Sequence, residues 1–249
     1  MNHIKLFFHI LFKTNLIKTL WLNFKMLPFE QAIKLPLYVY GRAEFRRMKG
    51  EIILDTPNIH SGMVKIGKRD YYVATAVQKC IWTISGTLII HGPIKFMQGS
   101  YLLIADNGTL EIGGLDGIFG TNIRIFCFDR ITIGRNVRMA WDIQIMDSSF
   151  HYIELTHKDN QVPPLTKPIV LGDDMWVGTR TTISKGAVIP NQTVIASNSL
   201  INKDFSNIEP DSLLAGAPAS VKATGCHRIF DVRREQELDK QYGYSRTHL

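Results

Sequence analysis

The sequence predicts a mainly β protein: a parallel β-helix of triangular coils, with a helical segment before it and a helix after it. Three observations predict this. From Leu171 onward an aliphatic residue stands at every sixth position: Leu171, Val177, Ile183, Ile189, Ile195 and Ile201. The place four residues after each holds Met175, Thr181, Ala187, Thr193, Ser199 and Phe205, mostly small, and the place directly after holds Gly172, Gly178, Ser184, Pro190, Ala196 and Asn202. A period of six fits neither the helical repeat nor simple strand alternation. Hexads of this kind mark a β-helix in which three hexads make one coil, the aliphatic residue pointing inward and the small one turning the corner.

The elements follow in order. Residues 3–25 read as a helix, because Ile4, Phe7, Phe8, Leu11, Leu16, Leu20, Trp21 and Phe24 recur at helical steps with lysines between them. Pro28 and Pro36 end helical structure. After Gly50 charge density falls and β-branched residues rise. The sixes Ile84, Ile90, Phe96, Leu102, then Ile112 and Ile118, then Ile133, Met139 and Ile145 carry the repeat upstream. Between Ile145 and Leu171 the ladder breaks, and residues 147–168, with Pro163, Pro164 and Pro168, read as an insertion loop leaving one corner. Past Pro210 the repeat ends, and residues 227–241 read as a charged surface helix. The expected units are a basic segment 1–50, a β-helix domain 51–221 and a tail 222–249.

The net charge of +7 is local. Residues 1–50 hold nine basic and two acidic side chains, an excess equal to that of the whole 249-residue chain. The neutral remainder argues against nucleic acid as a partner. Cys80, Cys127 and Cys226 are odd in number and far apart, which makes a reducing compartment, the cytoplasm, the expectation. The apolar run Ile4–Phe12 is interrupted by Lys5 and His9 and is followed by no small-residue cleavage site, so no signal peptide is read. No run reaches the roughly 18 apolar residues of a membrane span. The sequons at Asn107 and Asn191 read as chance matches.

Chemistry has to lie where the pattern departs from core building. Of eight histidines, His3, His9, His60, His91, His227 and His248 stand in no polar constellation. His151 opens the insertion loop, next to the last inward residue of a coil. A rigid scaffold would hold it there while it faces solvent, which suits a general base, since histidine titrates near pH 6.5. A loop histidine without a role fits that position equally well. His157 lies deeper in the loop.

The stretch from Asp147 to Ala219 resembles the hexapeptide-repeat acyltransferases, in the branch of maltose, galactoside and surface-polysaccharide O-acetyltransferases. Three pieces carry the resemblance: D-x-x-x-H from Asp147 to His151, K-P-I-V-L-G-D-D-M-W-V-G from Lys167 to Gly178, and G-A-P-A from Gly216 to Ala219. The resemblance implies a left-handed parallel β-helix that forms homotrimers, with sites between subunits, and acetyl-CoA as acyl donor without a metal. It implies His151 as the catalytic base on an acceptor hydroxyl. The oxyanion donor is implied to be a backbone N–H or the indole of Trp176, with packing at the trimer seam as the other role for Trp176. Asp147 is implied to orient His151 or bond the acceptor, against its plainer role as a corner residue bonding backbone. Gly178, Thr179, Ala196, Asn202 and Lys203 match positions lining the CoA groove, Lys203 meeting a phosphate. Relatives often place a cation directly after the G-x-P-A motif; this chain has Ser220 there, and Lys222 stands as the substitute.

The implied function is acetyl transfer to a sugar hydroxyl in surface polysaccharide biosynthesis. The alternatives are N-acylation of an amino sugar, a zinc enzyme needing three convergent histidines, and a non-catalytic scaffold. The basic N-terminal segment has two readings: a cap on the open end of the solenoid, or an aromatic-faced helix that touches anionic membrane at its inner face, near a lipid-linked acceptor.

Overall fold

The computed structural model describes residues 13–69 and 77–244. These form three sheets whose strands, up to the last two, succeed one another in rotation, so that every third strand pairs in parallel. Sheet A has nine strands, from Leu37–Val39 to Ala219–Ala223. Sheet B has seven, from Ala43–Arg46 to Leu200–Ile201. Sheet C has six, from Glu51–Leu54 to Val188–Ile189. The result is a left-handed parallel β-helix with faces A, B and C. Its first strand lies inside the segment that sequence reading set apart as 1–50.

The six-residue period is the coil. Leu171 pairs with Ile189, Val177 with Ile195 and Ile183 with Ile201, each eighteen residues on. All six aliphatic positions from Leu171 to Ile201 are buried, and so are Met175, Thr181, Ala187, Thr193, Ser199 and Phe205. Between the two places lies a third that the composition pattern hides. Asp174, Arg180, Gly186, Gln192 and Asn198 all have positive φ, from +55° to +80°. The corner is turned by a left-handed residue that delivers the next side chain inward. Hydroxyls at that inward place satisfy the corner: Thr181 Oγ1 donates to the Gly178 carbonyl at 2.8 Å, Thr193 Oγ1 to Pro190 at 2.9 Å and Ser199 Oγ to Ala196 at 2.6 Å. Buried polar atoms are tolerated because each finds an acceptor three residues back.

Upstream the period drifts. Ile118 does not point inward: Phe119 takes that place and is fully buried, and Ile118 pairs outward between Lys95 and Arg138. The corner before it contains an extra residue, with Gly114, Leu115 and Asp116 all at positive φ, so the step from Ile112 is seven. By contrast, the insertion of residues 147–168 leaves the prism untouched. Ile133 still pairs with Leu171 and Met139 with Val177 across it.

Helix α1 runs Leu16–Met26 and helix α2 Phe29–Ala32. The expected helix 3–25 is not one piece. Asn15 is extended, and its side chain accepts from the Lys18 N–H at 3.2 Å, an N-cap that starts a new helix at Leu16; residues 3–12 lie outside the described residues. Asn23 and Thr19 of α1 are buried polar residues with a purpose. Asn23 Nδ2 donates to the Leu37 carbonyl at 2.7 Å, its Oδ1 accepts from the Leu37 N–H at 3.1 Å, and Thr19 Oγ1 accepts from the Val39 N–H at 3.1 Å. The first strand of sheet A therefore has its outer edge satisfied by helix side chains instead of by another strand, which is how α1 closes the end of the solenoid.

At the far end, the strand Leu213–Gly216 turns through Ala217–Pro218 into the antiparallel strand Ala219–Ala223. Helix α3 follows at Val232–Tyr242, capped by Asp231, with no buried residue. It is the charged surface helix expected from 227–241.

Replacing Asn23 by Leu strands the Leu37 amide and carbonyl in a buried setting. The expected loss is about 1–3 kcal/mol per abandoned group, read as a lowered midpoint in urea or thermal melts.

Candidate active site at the loop-bearing corner

The loop leaves the corner between sheets B and C and closes on itself at its neck. Ser148 bridges Thr166, the Ser149 N–H donates to the Leu165 carbonyl at 3.0 Å, and the Lys167 N–H donates to the Asp147 carbonyl at 2.9 Å. Lys185, from the corner of the next coil, seals the neck: its Nζ donates to Ser149 Oγ at 3.1 Å, to the Pro164 carbonyl at 2.8 Å and to the Leu165 carbonyl at 3.1 Å. Nothing near Lys185 in the sequence marked it, because its partners lie in a loop more than fifteen residues upstream.

His151 follows this neck. Its N–H donates to the Ser149 carbonyl at 2.7 Å, its carbonyl accepts from Ser149 Oγ at 3.2 Å, and its side chain is exposed. The residue before it, Phe150, has φ of +61°. A bulky side chain in that region costs on the order of 1–3 kcal/mol and persists only where the surroundings fix it. They do: the Phe150 ring stands edge-on to Phe126 at 5.5 Å and to Phe128 at 5.2 Å, and Tyr101 lies against Phe126 at 5.3 Å. His157 lies farther out, in the turn closed by the Leu155–Gln161 bridge.

Asp147 is fully buried. One carboxylate oxygen accepts from the Phe128 N–H and the other from the Asp129 N–H, both at 2.8 Å. Both oxygens are thus engaged by the preceding coil, and the side chain staples the base of the loop to it. Burial pushes the carboxyl above the ordinary aspartate value, against the opposing pull of those amide bonds. The same burial, with the charge of Asp147 beside it, pushes the Cys127 thiol well up.

The other sequence candidates occupy different edges of the prism. Trp176 projects outward from sheet A, in register with Arg138 and Val194. Face A is the one opposite the B–C corner, so within one chain Trp176 and His151 are held apart. Its ring is covered by the returning C-terminal segment: the Arg228 guanidinium lies 4.9 Å above it, and Arg228 also stacks on Phe230 and pairs with Glu235. Gly178, Thr179 and Ala196 turn the A–B corner. A Cβ on Gly178 would stand 2.5 Å from the Ser197 nitrogen, so close stacking of coils already requires glycine there. Thr179 Oγ1 donates to the Trp141 carbonyl at 2.8 Å, and the Ala196 carbonyl accepts from Ser199 and Thr181. Asn202 and Lys203 return to the B–C corner, below the loop, with Lys203 Nζ 5.1 Å from the Phe205 ring. Lys222 is exposed on the last strand of sheet A. Among the described residues, no three His, Cys, Asp or Glu side chains cluster as a metal set.

No family model matches the chain. It is 24% identical over 199 residues to galactoside O-acetyltransferase of Escherichia coli (strain K12), covering 79% of this chain and 83% of that protein. Its fold is similar to that of the polysialic-acid-specific acetyltransferase NeuO (TM-score 0.53, 20% identity, 80% of this chain and 92% of that one). It is also similar to that of the polysialic acid O-acetyltransferase OatWY (TM-score 0.50, 17% identity, 80% and 99%). A rigid β-helix with a clamped, histidine-bearing loop, alike in sequence to such an enzyme, is an acyltransferase. Its hexads, W-V-G and G-A-P-A are similar to those of the hexapeptide-repeat acyltransferases, and the relatives it resembles are sugar O-acetyltransferases.

Lys185→Met removes the donor to three loop acceptors. The expected result is faster amide exchange over residues 148–151 and a stability loss of about 1–3 kcal/mol, measured by hydrogen–deuterium exchange and melting.

Proposed function

We propose that this chain transfers an acetyl group from acetyl-CoA to a sugar hydroxyl in surface polysaccharide biosynthesis, with His151 as general base. The observation that carries the reading is the placement of His151: an exposed imidazole on a neck fixed by Lys185, the Phe150 contacts and the Asp147 staple. A base must be presented to solvent yet kept in one orientation. His151 takes the hydroxyl proton as the sugar oxygen attacks the thioester carbonyl. The tetrahedral intermediate collapses with cleavage of the C–S bond, and the proton passes from the imidazolium to the departing thiolate. A donor is needed for the oxyanion.

The prism geometry supports a site shared between copies. The base lies on the B–C corner, whereas Trp176 lies on the opposite face and Gly178, Thr179 and Ala196 lie on the A–B corner. A homotrimer that sets one subunit's B–C corner against its neighbour would bring these sets together. Lys203, an exposed cation on the corner of His151, suits a phosphate of the nucleotide. Three free cysteines, Cys80 and Cys127 of them buried, support a cytoplasmic setting.

Among the described residues no helix is long and apolar enough to cross a membrane. The exposed Ile17, Phe24, Phe29 and Ile33 beside Lys25 and Lys34 support peripheral contact with an anionic surface. Because α1 satisfies the edge of Leu37–Val39, removing it tests folding before it tests membranes. The informative variant is Phe24→Ser with Phe29→Ser, on the exposed side. Sedimentation with phosphatidylglycerol-containing vesicles is expected to fall, and unchanged sedimentation removes the membrane reading.

Thiol release from acetyl-CoA with a panel of galactosides, sialic acid oligomers and amino sugars tests the activity. Wild type is expected to release thiol with a hydroxyl acceptor, and His151→Ala to lose about a hundredfold to ten-thousandfold in kcat. Full activity in His151→Ala removes the base assignment, and preference for an amine acceptor favours N-acylation.

A further inference from the structure

We propose that the outer face of sheet B beside His151 is the acceptor subsite, that it takes a carboxylate-bearing pyranose, and that Phe150 and Arg124 select it. This rests on the reading of His151 as the base toward a sugar hydroxyl.

Arg124 and Phe126 stand two residues apart on the strand Arg124–Cys127, both facing outward, about 7 Å from each other along the strand. Phe126 meets the Phe150 ring edge-on, and His151 follows directly. Guanidinium and aromatic shelf thus share one face, and the loop that bears His151 leaves from the shelf end. The hollow around Arg124 is lined by Asn122, Asp142, Gln144 and Thr182. Asp142 accepts from the Asn122 amide, whereas the Arg124 side chain is exposed and makes no ion pair among the described residues.

Phe150 is the unexpected member. A turn with positive φ is met at no steric cost by glycine and readily by asparagine. A ring kept only for packing would be covered, yet Phe150 remains 41% exposed. A side chain that is conformationally disfavoured, held from two sides and left partly open one residue from the base has the properties of a binding platform. A pyranose offers an apolar C–H face to such a ring and hydroxyls to groups such as Gln144 and Thr182. The guanidinium, in a hollow whose own carboxylate, Asp142, is engaged by Asn122, adds the charge complement for a ligand carboxylate, which it grips with two donors.

Binding is read without turnover in full-length protein carrying His151→Ala, by saturation-transfer NMR titration with the methyl glycosides of sialic acid, glucuronic acid and glucose. At least one acidic glycoside is expected to bind about fivefold tighter than the glucoside, the weight of one exposed ion pair. Adding Arg124→Gln erases that preference. Adding Phe150→Leu weakens all three sugars by about tenfold, the weight of one aromatic contact, and Phe150→Tyr restores them. Absence of binding by any of the three sugars, absence of an acid preference, or unchanged affinity in Phe150→Leu overturns the proposal. Should Phe150→Leu fail to fold, Arg124→Gln at an exposed site still decides it, a retained acid preference overturning it. A wrong base assignment is distinguishable, because it shows as turnover in His151→Ala and leaves these affinities unchanged.

Discussion

The coils from Leu171 to Ile201 depend on backbone corners each turned by one left-handed residue. The length of a corner decides which residues of the following strand face inward, while the parallel ladders continue across it. Asp174, Arg180, Gly186, Gln192 and Asn198 repeat that shape, and the buried hydroxyls of Thr181, Thr193 and Ser199 tie each corner to the carbonyl three residues earlier. The inward aliphatic side chains then stack because the corners already agree. Hydrophobic burial provides the driving force, and corner geometry decides which side chains it reaches. The enlarged corner at Gly114–Asp116 shows the dependence: one added residue turns Ile118 outward and Phe119 inward.

The same constraint explains how a loop of some twenty residues can leave the prism without disturbing it. The neck is closed by strand-like bonds between residues 147–149 and 165–167, so the coil sees a corner of ordinary width. Asp147 holds the loop to the coil before it and Lys185 to the coil after it. Rigidity needed for chemistry is thereby brought to a segment that would otherwise be mobile. Phe150 concentrates the strain of this arrangement one residue from the imidazole, and its aromatic neighbours stabilise it.

Much of the fold was legible because hexads write inward side chains at fixed intervals. Leu171 to Ile201 and the loop at 147–168 could be placed from spacing, and the C-terminal helix from the charged segment that follows the repeat. What spacing could not show was anything that depends on which face a residue occupies. The D-x-x-x-H pattern suggests that Asp147 serves His151, yet its carboxylate is turned back to the amides of Phe128 and Asp129. Trp176 and His151 read as members of one site, yet a loop that interrupts the count of faces conceals that they lie on opposite sides of a chain. Lys185, Arg228 and the cluster of Phe126, Phe128 and Phe150 join residues distant in sequence, and no local pattern announces such contacts. The break at Asn15 was available as a helix-capping signal, but the continuous apolar stripe around it masked the boundary.

The capping of sheet A by α1 has a consequence for assembly. A solenoid whose terminal strand offers free amides and carbonyls can accept the terminal strand of another copy and grow end to end, the route by which repeat structures become fibres. Here Asn23 and Thr19 already occupy the Leu37 and Val39 groups, and at the other end the last strand folds back antiparallel on its neighbour. Parallel growth through the first strand of sheet A is therefore blocked by helix α1, and at the other end the sheet closes with a strand of reversed direction. A repeat that could be extended strand by strand is closed at its first strand by Thr19, Asn23 and the Asn15 amide, and reverses direction in its last hairpin.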